Sequence, residues 1–246
     1  MKIGIFDSGL GGLTVLREFV KKYPNNTYIY YGDTKNIPYG DKTKKELIEL
    51  IVKIITFFEK ENVDMIIIAC GTVSSMCLNE IKKMTNILIY DVISPTIEYL
   101  NKIPQNKIGI FATNATINSH IFKISLNKKR VLEIATKEFV PMIEKNKINL
   151  NIIKNYCYQV SSFDVLVLGC THYPILERKL KKYLPNTLIV NMAIPLLNKV
   201  KITNNNNNSS GKIILYFTKQ SDILLQNINN ILDFSYKIIF IWLNIK

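Results

Sequence analysis

Short apolar runs recur along this chain, and amphipathic segments of helical length separate them. Apolar runs of about four to six residues suit strands that are buried on both faces, because such strands have no polar side to alternate. Strands of this kind between helices are typical of a parallel sheet that is covered by helices. The pattern therefore predicts an α/β fold.

The elements follow from this periodicity. The predicted strands are Lys2–Phe6, Tyr28–Tyr31, Met65–Ala69, Ile87–Tyr90, Lys107–Ala112, Val131–Ala135, Val165–Gly169, Thr187–Val190 and Lys212–Phe217. The predicted helices are Leu13–Lys22, Lys44–Lys60, Ser74–Met84, Ile117–Leu126, Val140–Lys145, Ile152–Gln159, Ile175–Tyr183 and Asp222–Leu232. This number of strands is large for one small sheet.

Two segments share one design. MIIIACGTVSS, which ends at Ser75, and LVLGCTHYP, which ends at Pro174, each place a cysteine and hydroxyl groups after an apolar run. The cysteines lie 170 − 70 = 100 residues apart. Because ligands of open α/β sheets bind at the carboxyl ends of strands, the duplication predicts two similar lobes with mostly parallel sheets flanked by helices. Each lobe would contribute one thiol to an active site in the cleft between them.

The lobes can be delimited from composition. We expect residues 1–94 plus 211–246 to form the first lobe, which carries Cys70, and residues 95–210 to form the second, which carries Cys170. The boundaries are Ser94-Pro95 and a polar turn from Thr203 to Gly211. The apolar end Ile238–Leu243 is expected to dock on the core, since it is too short to anchor in a membrane.

Bulk composition agrees with a globular enzyme. The 246 residues are 48% hydrophobic and 21% charged, and no apolar stretch approaches the ~20 residues that cross a bilayer. The N-terminus MKIGIFDSGLGG lacks a basic region followed by a long apolar one, so we expect a cytoplasmic protein without a secretory signal or membrane partner.

The net charge of +13 raises nucleic acid as a partner. The excess is nearly all lysine, however, since the chain has only three arginines, Arg17, Arg130 and Arg178. This pattern indicates a compositional bias more than a nucleic-acid footprint. A positive field would still steer an anionic substrate.

The four cysteines show no C-x-x-C spacing, which favours free thiols over disulfides or a metal site. Cys77 and Cys157 lie in helical patterns and are interpreted as small buried apolar residues. Cys70 and Cys170 each lie between a strand and a helix, where the helix start favours the thiolate. His172 follows in the same turn as Cys170, and could act on the thiol or on a substrate.

The remaining histidine, His120, lies in a helical pattern without a partner and is interpreted as structural or exposed. Asp7 precedes glycines at positions 9, 11 and 12, which do not match the register of a G-x-G-x-x-G dinucleotide site. A tight turn that exposes the Asp7 carboxylate and backbone donors fits better, although Asp7 capping the next helix stays open.

Two further loops offer polar groups. Gly32-Asp33-Thr34 and Pro38-Tyr39-Gly40 form a predicted rigid loop, and the segment from Ala115 to Ser119 opens a helix with hydroxyls. Hydroxyls and free N–H groups at a helix start suit a small anionic molecule.

Two thiols facing each other across such a molecule have a specific use. One thiolate can remove a proton from carbon while the opposite thiol returns one to the other face, which inverts a stereocentre. Fixed donors must stabilise the charge that develops on the substrate. The sequence contains no P-loop, pyridoxal-phosphate lysine context or metal cluster, so we expect no cofactor and no metal.

The sequence resembles the glutamate racemases of the aspartate/glutamate racemase superfamily. The resemblance is carried, in family order, by IGIFDSGLGGLTVL, YYGDTKNIPYG, IIIACGTVSS, ATNATINS, FVPMIE and VLGCTHYPIL. It implies a cofactor-independent isomerase of two α/β lobes that interconverts L- and D-glutamate for peptidoglycan synthesis, and hence for cell wall biogenesis and cell shape. It also implies a homodimer.

The resemblance also implies the roles of residues. Cys70 would be the base for D-glutamate, assisted by Asp7, and Cys170 the base for L-glutamate, assisted by His172, which Glu144 would support. The positions that would bind the amino acid are Asp7, Ser8, Pro38, Tyr39, Gly40, Gly71, Thr72, Thr116, Thr171 and His172.

The chain departs from the family pattern in places. Many members have Asn where this chain has Gly71. Gly71 therefore lacks a side-chain amide that would contact the substrate. The segments Val190–Ala193 and Thr218–Ser221 also differ, and we expect no substrate residues there.

Three alternatives stay open. The substrate could be aspartate or another amino acid. Some glutamate racemases bind DNA gyrase, so a regulatory relative that binds gyrase is a second alternative. A thiol redox protein is a third, disfavoured because redox pairs usually come as C-x-x-C.

Overall fold

The computed structural model describes residues 1–202, 211–232 and 237–243. The strands are β1 Lys2–Asp7, β2 Thr27–Gly32, β3 Met65–Ile68, β4 Leu88–Asp91, β5 Lys107–Ala112, β6 Arg130–Ala135, β7 Val165–Leu168, β8 Leu188–Asn191, β9 Lys212–Phe217 and β10 Lys237–Trp242. The helices are α1 Leu13–Lys22, α2 Lys44–Lys60, α3 Gly71–Met84, α4 Ile93–Lys102, α5 Asn114–Asn118, α6 Ile121–Ser125, α7 Phe139–Glu144, α8 Leu150–Gln159, α9 Glu177–Tyr183, α10 Ala193–Lys199 and α11 Asp222–Ile231. Short 3-10 turns cover Tyr39–Asp41 and Tyr173–Leu176.

Two parallel sheets organise these elements. One has the order β10-β9-β2-β1-β3-β4 and the other β6-β5-β7-β8. Four consecutive strands of the first sheet, β2-β1-β3-β4, repeat the connectivity of the second. The prediction of two similar α/β lobes with parallel sheets and flanking helices is confirmed.

The C-terminal strands belong to the first sheet. β9 pairs with β2, and β10 extends the sheet by pairing with β9. The ring of Trp242 lies 5.9 Å from that of Phe217, centroid to centroid, so the apolar end of the chain packs on the first lobe. The polar stretch 203–210 lies outside the described residues, and the limits of the two lobes stay a prediction.

Two helices, α4 and α10, were not predicted. Each begins just after a strand that ends in a short polar residue. The side chain of Asp91 accepts a hydrogen bond from Ile93 N at 2.9 Å, and that of Asn191 accepts one from Ala193 N at 3.0 Å. Proline is tolerated in the first helical turn, where the N–H has no helical partner. Ser94-Pro95, which was interpreted as a boundary, therefore lies inside α4.

The predicted single helix Ile117–Leu126 is wrong. The chain forms α5 and α6 instead, because His120 between them adopts a left-handed backbone conformation with φ 51°. His120 is exposed as expected, but it has a partner: its Nδ1 lies 2.9 Å from Oε2 of Glu133.

One apolar cluster joins the two lobes. It contains buried residues of the first sheet, such as Ile3 and Ile67, together with Ile108 and Val167 of the second. This shared core holds the two sheets so that polar groups at their strand ends can line one cleft. Within the ranges that the structure describes, no helix has the length and apolar character required to span a membrane.

Candidate active site

A cavity of about 350 Å³ lies between the lobes, and both Cys70 and Cys170 line it. Cys70 follows β3 and Cys170 follows β7, so each lobe contributes the thiol at the same point of its sheet. The sequence-predicted residues that line the cavity are Ser8, Pro38, Tyr39, Gly40, Cys70, Gly71, Thr72, Glu144, Cys170, Thr171 and His172. Asp7 and Thr116 are not among the lining residues.

Cys70 is the N-cap residue of α3, and its Sγ donates a weak hydrogen bond to Oγ of Ser8 at 3.7 Å. Burial and then the charge of Asp7 raise the pKa of the Cys70 thiol to about 12, which outweighs the contacts with the Val73 N–H and Ser8. The expectation that the helix start would favour the thiolate is therefore wrong for Cys70. The thiol holds its proton at neutral pH.

Cys170 has a different neighbour. Its Sγ lies 3.7 Å from Nδ1 of His172, and the opposite ring atom Nε2 lies 3.1 Å from Oε1 of Glu144. Burial alone would lower the pKa of His172, but the contacts with Cys170 and Glu144 outweigh it and raise this pKa well above its usual value. A protonated His172 can stabilise negative charge on Cys170 or supply a proton to it.

Asp7 lies behind the cavity wall and is fully buried. Its carboxylate accepts hydrogen bonds from Gly9 N and from Oγ1 of Thr171, each at 3.1 Å. Burial raises the pKa of Asp7, against the lowering effect of His172 and of these donors. Asp7 also accepts a hydrogen bond from the backbone of Gly12, the residue at the N-cap position of α1, so it contacts the start of this helix as well. It therefore joins the first lobe to Thr171 of the second.

Hydroxyl groups from both lobes form a chain at another wall of the cavity. Oγ1 of Thr72 lies 3.0 Å from Oγ1 of Thr113, which lies 3.2 Å from Oγ1 of Thr116. Thr113 is the N-cap of α5 and lines the cavity, whereas Thr116 is fully buried behind it. Thr116 can orient Thr113. It does not itself line the cavity, although the resemblance implies that it binds the amino acid.

Glycines allow close approach between the lobes. A Cβ on Gly11 would lie 2.4 Å from Nδ1 of His172, and one on Gly71 would lie 2.8 Å from the carbonyl oxygen of Gly169. Both distances are below normal contact for a side-chain carbon. The helix start at Gly71 is thus packed directly on the end of the second sheet.

Sequence reasoning missed several lining residues: Ile37, Asp41, Thr113, Asn114, Thr136, Lys137, Val140, Pro141, Lys145, Gly169 and Tyr173. Thr136 and Lys137 follow β6, so the rule that polar groups after a strand line the site would have found them. Others lie inside motifs that were recognised without being resolved residue by residue. Among the described residues, no group of three or more His, Cys, Asp and Glu side chains is arranged to hold a metal ion.

Two similar α/β lobes with one thiol each on a shared cavity have the arrangement that two-base chemistry at a carbon atom requires. Residues 34–203 match the model of the Asp/Glu/Hydantoin racemase family. The glutamate racemase of Aquifex aeolicus is 35% identical over 232 residues, which covers 90% of this chain and 90% of that protein.

Solved structures agree with this relationship. Glutamate racemase from Campylobacter jejuni superposes with a TM-score of 0.85 at 32% identity, covering 94% of this chain and 97% of that one. Glutamate racemase from Francisella tularensis, solved in complex with D-glutamate, superposes with a TM-score of 0.87 at 25% identity, covering 99% and 98%. The chain belongs to the Asp/Glu/Hydantoin racemase family.

Proposed function

We propose that the protein is a glutamate racemase that interconverts L- and D-glutamate by two-base proton transfer without a cofactor. The observation that carries the proposal is that Cys70 and Cys170, from different lobes, line one cavity. The family assignment and the similarity to glutamate racemases support it.

In the L-to-D direction, the Cys170 thiolate removes the α-proton of L-glutamate. The electron pair of the broken C–H bond stays on the substrate and spreads into its α-carboxylate. The Cys70 thiol then donates its proton to the opposite face, which gives D-glutamate and leaves Cys70 as the thiolate. The raised pKa of Cys70 suits this acid role, because the resting thiol carries the required proton.

The reverse reaction uses the same groups with exchanged roles, as microscopic reversibility requires. The Cys70 thiolate takes the proton of D-glutamate, and Cys170 returns one to the other face. Protonated His172 supports the charge on Cys170 whenever Cys170 is the thiolate. Asp7 has no direct hydrogen bond to Cys70 in the structure. We therefore propose that it acts on Cys70 through its charge, which raises the pKa of the thiol.

For substrate binding, we propose the cavity residues Ser8, Pro38, Tyr39, Gly40, Gly71, Thr72, Thr171 and His172, with Thr113 as an addition from the structure. Thr116 acts through Thr113 in this proposal. Hydroxyls and backbone N–H groups from both lobes would hold the two carboxylates and stabilise the charge that develops on the α-carboxylate.

The test is incubation of purified protein in D₂O with L-glutamate and, separately, D-glutamate, without added cofactor. We expect both enantiomers to invert while deuterium enters the α-position. Optical rotation measures the inversion, and loss of the α-proton NMR signal measures the deuterium exchange. Absence of inversion and exchange with glutamate would overturn the proposal. Aspartate in parallel samples tests the alternative substrate.

The wider role follows from this activity. We propose that the enzyme acts in the cytoplasm and supplies D-glutamate for peptidoglycan, so cells depleted of it should require added D-glutamate to keep their shape. A homodimer is checked by light scattering of the purified protein. The gyrase hypothesis is tested by a pull-down repeated at raised salt, which removes nonspecific charge attraction.

A further inference from the structure

The loop from Asp33 to Asp41 forms part of the cavity wall, and it is held by a residue near the other end of the chain. We propose that Thr218, just after β9, is a positioning residue for substrate binding that acts through Asp33 and Tyr39. The inference rests on the proposed function, and it gives a role to a segment in which the sequence analysis expected no substrate residues.

Asp33 is the centre of the connection. It is only 2% exposed, and its carboxylate accepts hydrogen bonds from Asn36 Nδ2 at 2.9 Å to both oxygens, from the Tyr39 hydroxyl at 2.6 Å and from Thr218 Oγ1 at 2.8 Å. A buried carboxylate is costly unless it is hydrogen-bonded, and bonds to a charged acceptor are short and strong. The carboxylate therefore fixes every group that donates to it.

Thr218 uses its hydroxyl twice. The hydroxyl group donates to the Asp33 carboxylate, and its oxygen accepts a hydrogen bond from Lys35 N at 2.9 Å. Next to it, Thr34 and Lys219 bond through the Thr34 hydroxyl, which donates to Lys219 O at 2.8 Å and accepts from Lys219 N at 2.9 Å. The start of the loop is thus bonded side by side to the segment after β9.

The other end of the connection is the cavity. Tyr39 is 2% exposed, and burial followed by the Asp33 charge raises the pKa of its hydroxyl, which therefore stays protonated as a donor. Residues 37–41 all line the cavity. A Cβ on Gly40 would lie 3.3 Å from Cβ of Thr113, so this loop also approaches the second lobe. A shift of Asp33 would move Tyr39 and with it one wall of the cavity.

The two thiols and His172 lie on other elements. Loosening the loop should therefore weaken binding of either enantiomer while proton transfer between the thiols and the α-carbon continues. L- and D-glutamate have the same free energy, so kcat/KM must fall equally in both directions for any variant. The informative quantities are KM and kcat taken separately, together with a measurement on the loop itself.

The experiment compares Thr218→Val, Thr218→Ser and a matched control, Thr187→Val. Thr187 is also buried, and its hydroxyl donates to Phe163 O at 3.2 Å in the second lobe, outside the cavity lining. We expect Thr218→Val to raise KM about tenfold for both enantiomers with kcat within about threefold of wild type. Thr218→Ser keeps a hydroxyl and should have the KM of wild type. Thr187→Val should also have the KM of wild type.

Amide hydrogen exchange, measured by mass spectrometry, reports how firmly the loop is held and does not depend on catalytic turnover. Faster exchange of residues 33–42 in Thr218→Val than in Thr187→Val is expected. Equal loop exchange in the two variants, or a Thr218→Val enzyme with unchanged KM, would overturn the inference. An inactive wild-type protein would instead overturn the proposed function, and the exchange comparison would still decide whether Thr218 holds the loop.

Discussion

The imidazole Nε2 of His172 lies 3.1 Å from Oε1 of Glu144, while Nδ1 of the same ring faces Sγ of Cys170 at 3.7 Å. Glu144 and His172 both belong to the second lobe, at the end of α7 and in the turn after β7. His172 is buried, so without these two contacts its pKa would be lowered instead of raised. The contacts with Cys170 and Glu144 together therefore favour the protonated ring beside the thiol.

Glu144→Gln tests this relationship. The substitution removes the charge that helps to raise the pKa of His172, so the ring should lose its proton at lower pH. Activity that needs protonated His172 is present below this pKa and lost above it. The basic limb of the pH profile of kcat/KM should move to lower pH in the variant.

The chain offers a matched control for this measurement. Glu133 makes the same kind of contact with the exposed His120, and neither of these residues lines the cavity. Glu133→Gln should leave the pH profile unchanged. Superimposed profiles of Glu144→Gln and wild type would show that Glu144 does not set the protonation of His172.

Cys70→Ala should separate the two faces of the reaction. Without Cys70, no acid is left on one face, so inversion should fall by at least about a hundredfold in both directions. Cys170 can still remove and return the α-proton of L-glutamate. In D₂O, the variant should therefore place deuterium in L-glutamate without inverting it, and D-glutamate should not exchange.

Proton NMR and optical rotation on the same samples distinguish these outcomes. Cys77→Ala serves as the control, since Cys77 is a buried thiol outside the cavity lining. Exchange into D-glutamate alone would reverse the proposed assignment of the thiols to enantiomers. Full inversion by Cys70→Ala would exclude a two-thiol mechanism.

The sequence predicted what depends on local patterns. All nine predicted strands are present, because buried parallel strands have a distinctive apolar run, and Cys70 and Cys170 were found from their position after two of them. α4 was missed because Ser94-Pro95 was interpreted as a boundary, and α10 was not predicted at all. The hydrogen bonds that Asp91 and Asn191 accept from the first turns of these helices were not anticipated from the sequence. β10 was missed as a strand, since its pairing with β9 is a tertiary contact.

The site shows the same limit. Motif matching placed Thr116 in the site, but only the fold shows that Thr113 stands between it and the cavity. The high pKa of Cys70 also could not be predicted from the sequence. The helix start was visible in the pattern, whereas the burial and the neighbouring Asp7 that outweigh it come from the packing of two distant segments.

Gly71→Ala tests how closely the lobes must approach. Its new Cβ would lie 2.8 Å from the carbonyl oxygen of Gly169, a backbone atom that can yield only if the lobes separate. Overpacking of this kind costs about 1–3 kcal/mol. We expect kcat/KM to fall about tenfold, because the shift moves the Cys70 side of the cavity relative to Cys170.

The same contact predicts that Gly71→Asn lowers the activity of this chain, although it adds the amide that the resemblance implies at this position. Steady-state kinetics of both variants, with thermal unfolding alongside, provide the check. An increase in activity on Gly71→Asn would mean that the Gly169 carbonyl yields at little cost.

A final prediction concerns alkaline stability. Burial raises the pKa of Cys157 to about 11, whereas a thiol in an unfolded chain titrates near 8.5. Between these values the folded protein binds more protons than the unfolded chain, so the free energy of unfolding must fall as pH rises. The contribution of this thiol is fully present below the unfolded pKa and is lost on the way to pH 11.

Cys157→Ala and Cys157→Val both remove the titrating group but leave side chains of different size. The two variants can differ in their free energy of unfolding at pH 8, because their side chains pack differently. From pH 9 to pH 11, however, the free energy of unfolding should fall less steeply in both variants than in wild type, by at most about 1.4 kcal/mol per pH unit. Urea denaturation under reducing conditions measures these slopes. Slopes equal to that of wild type would mean that Cys157 titrates alike in the folded and unfolded chains. Different slopes for Ala and Val would attribute the effect to packing, because only the loss of the thiol proton is common to both substitutions.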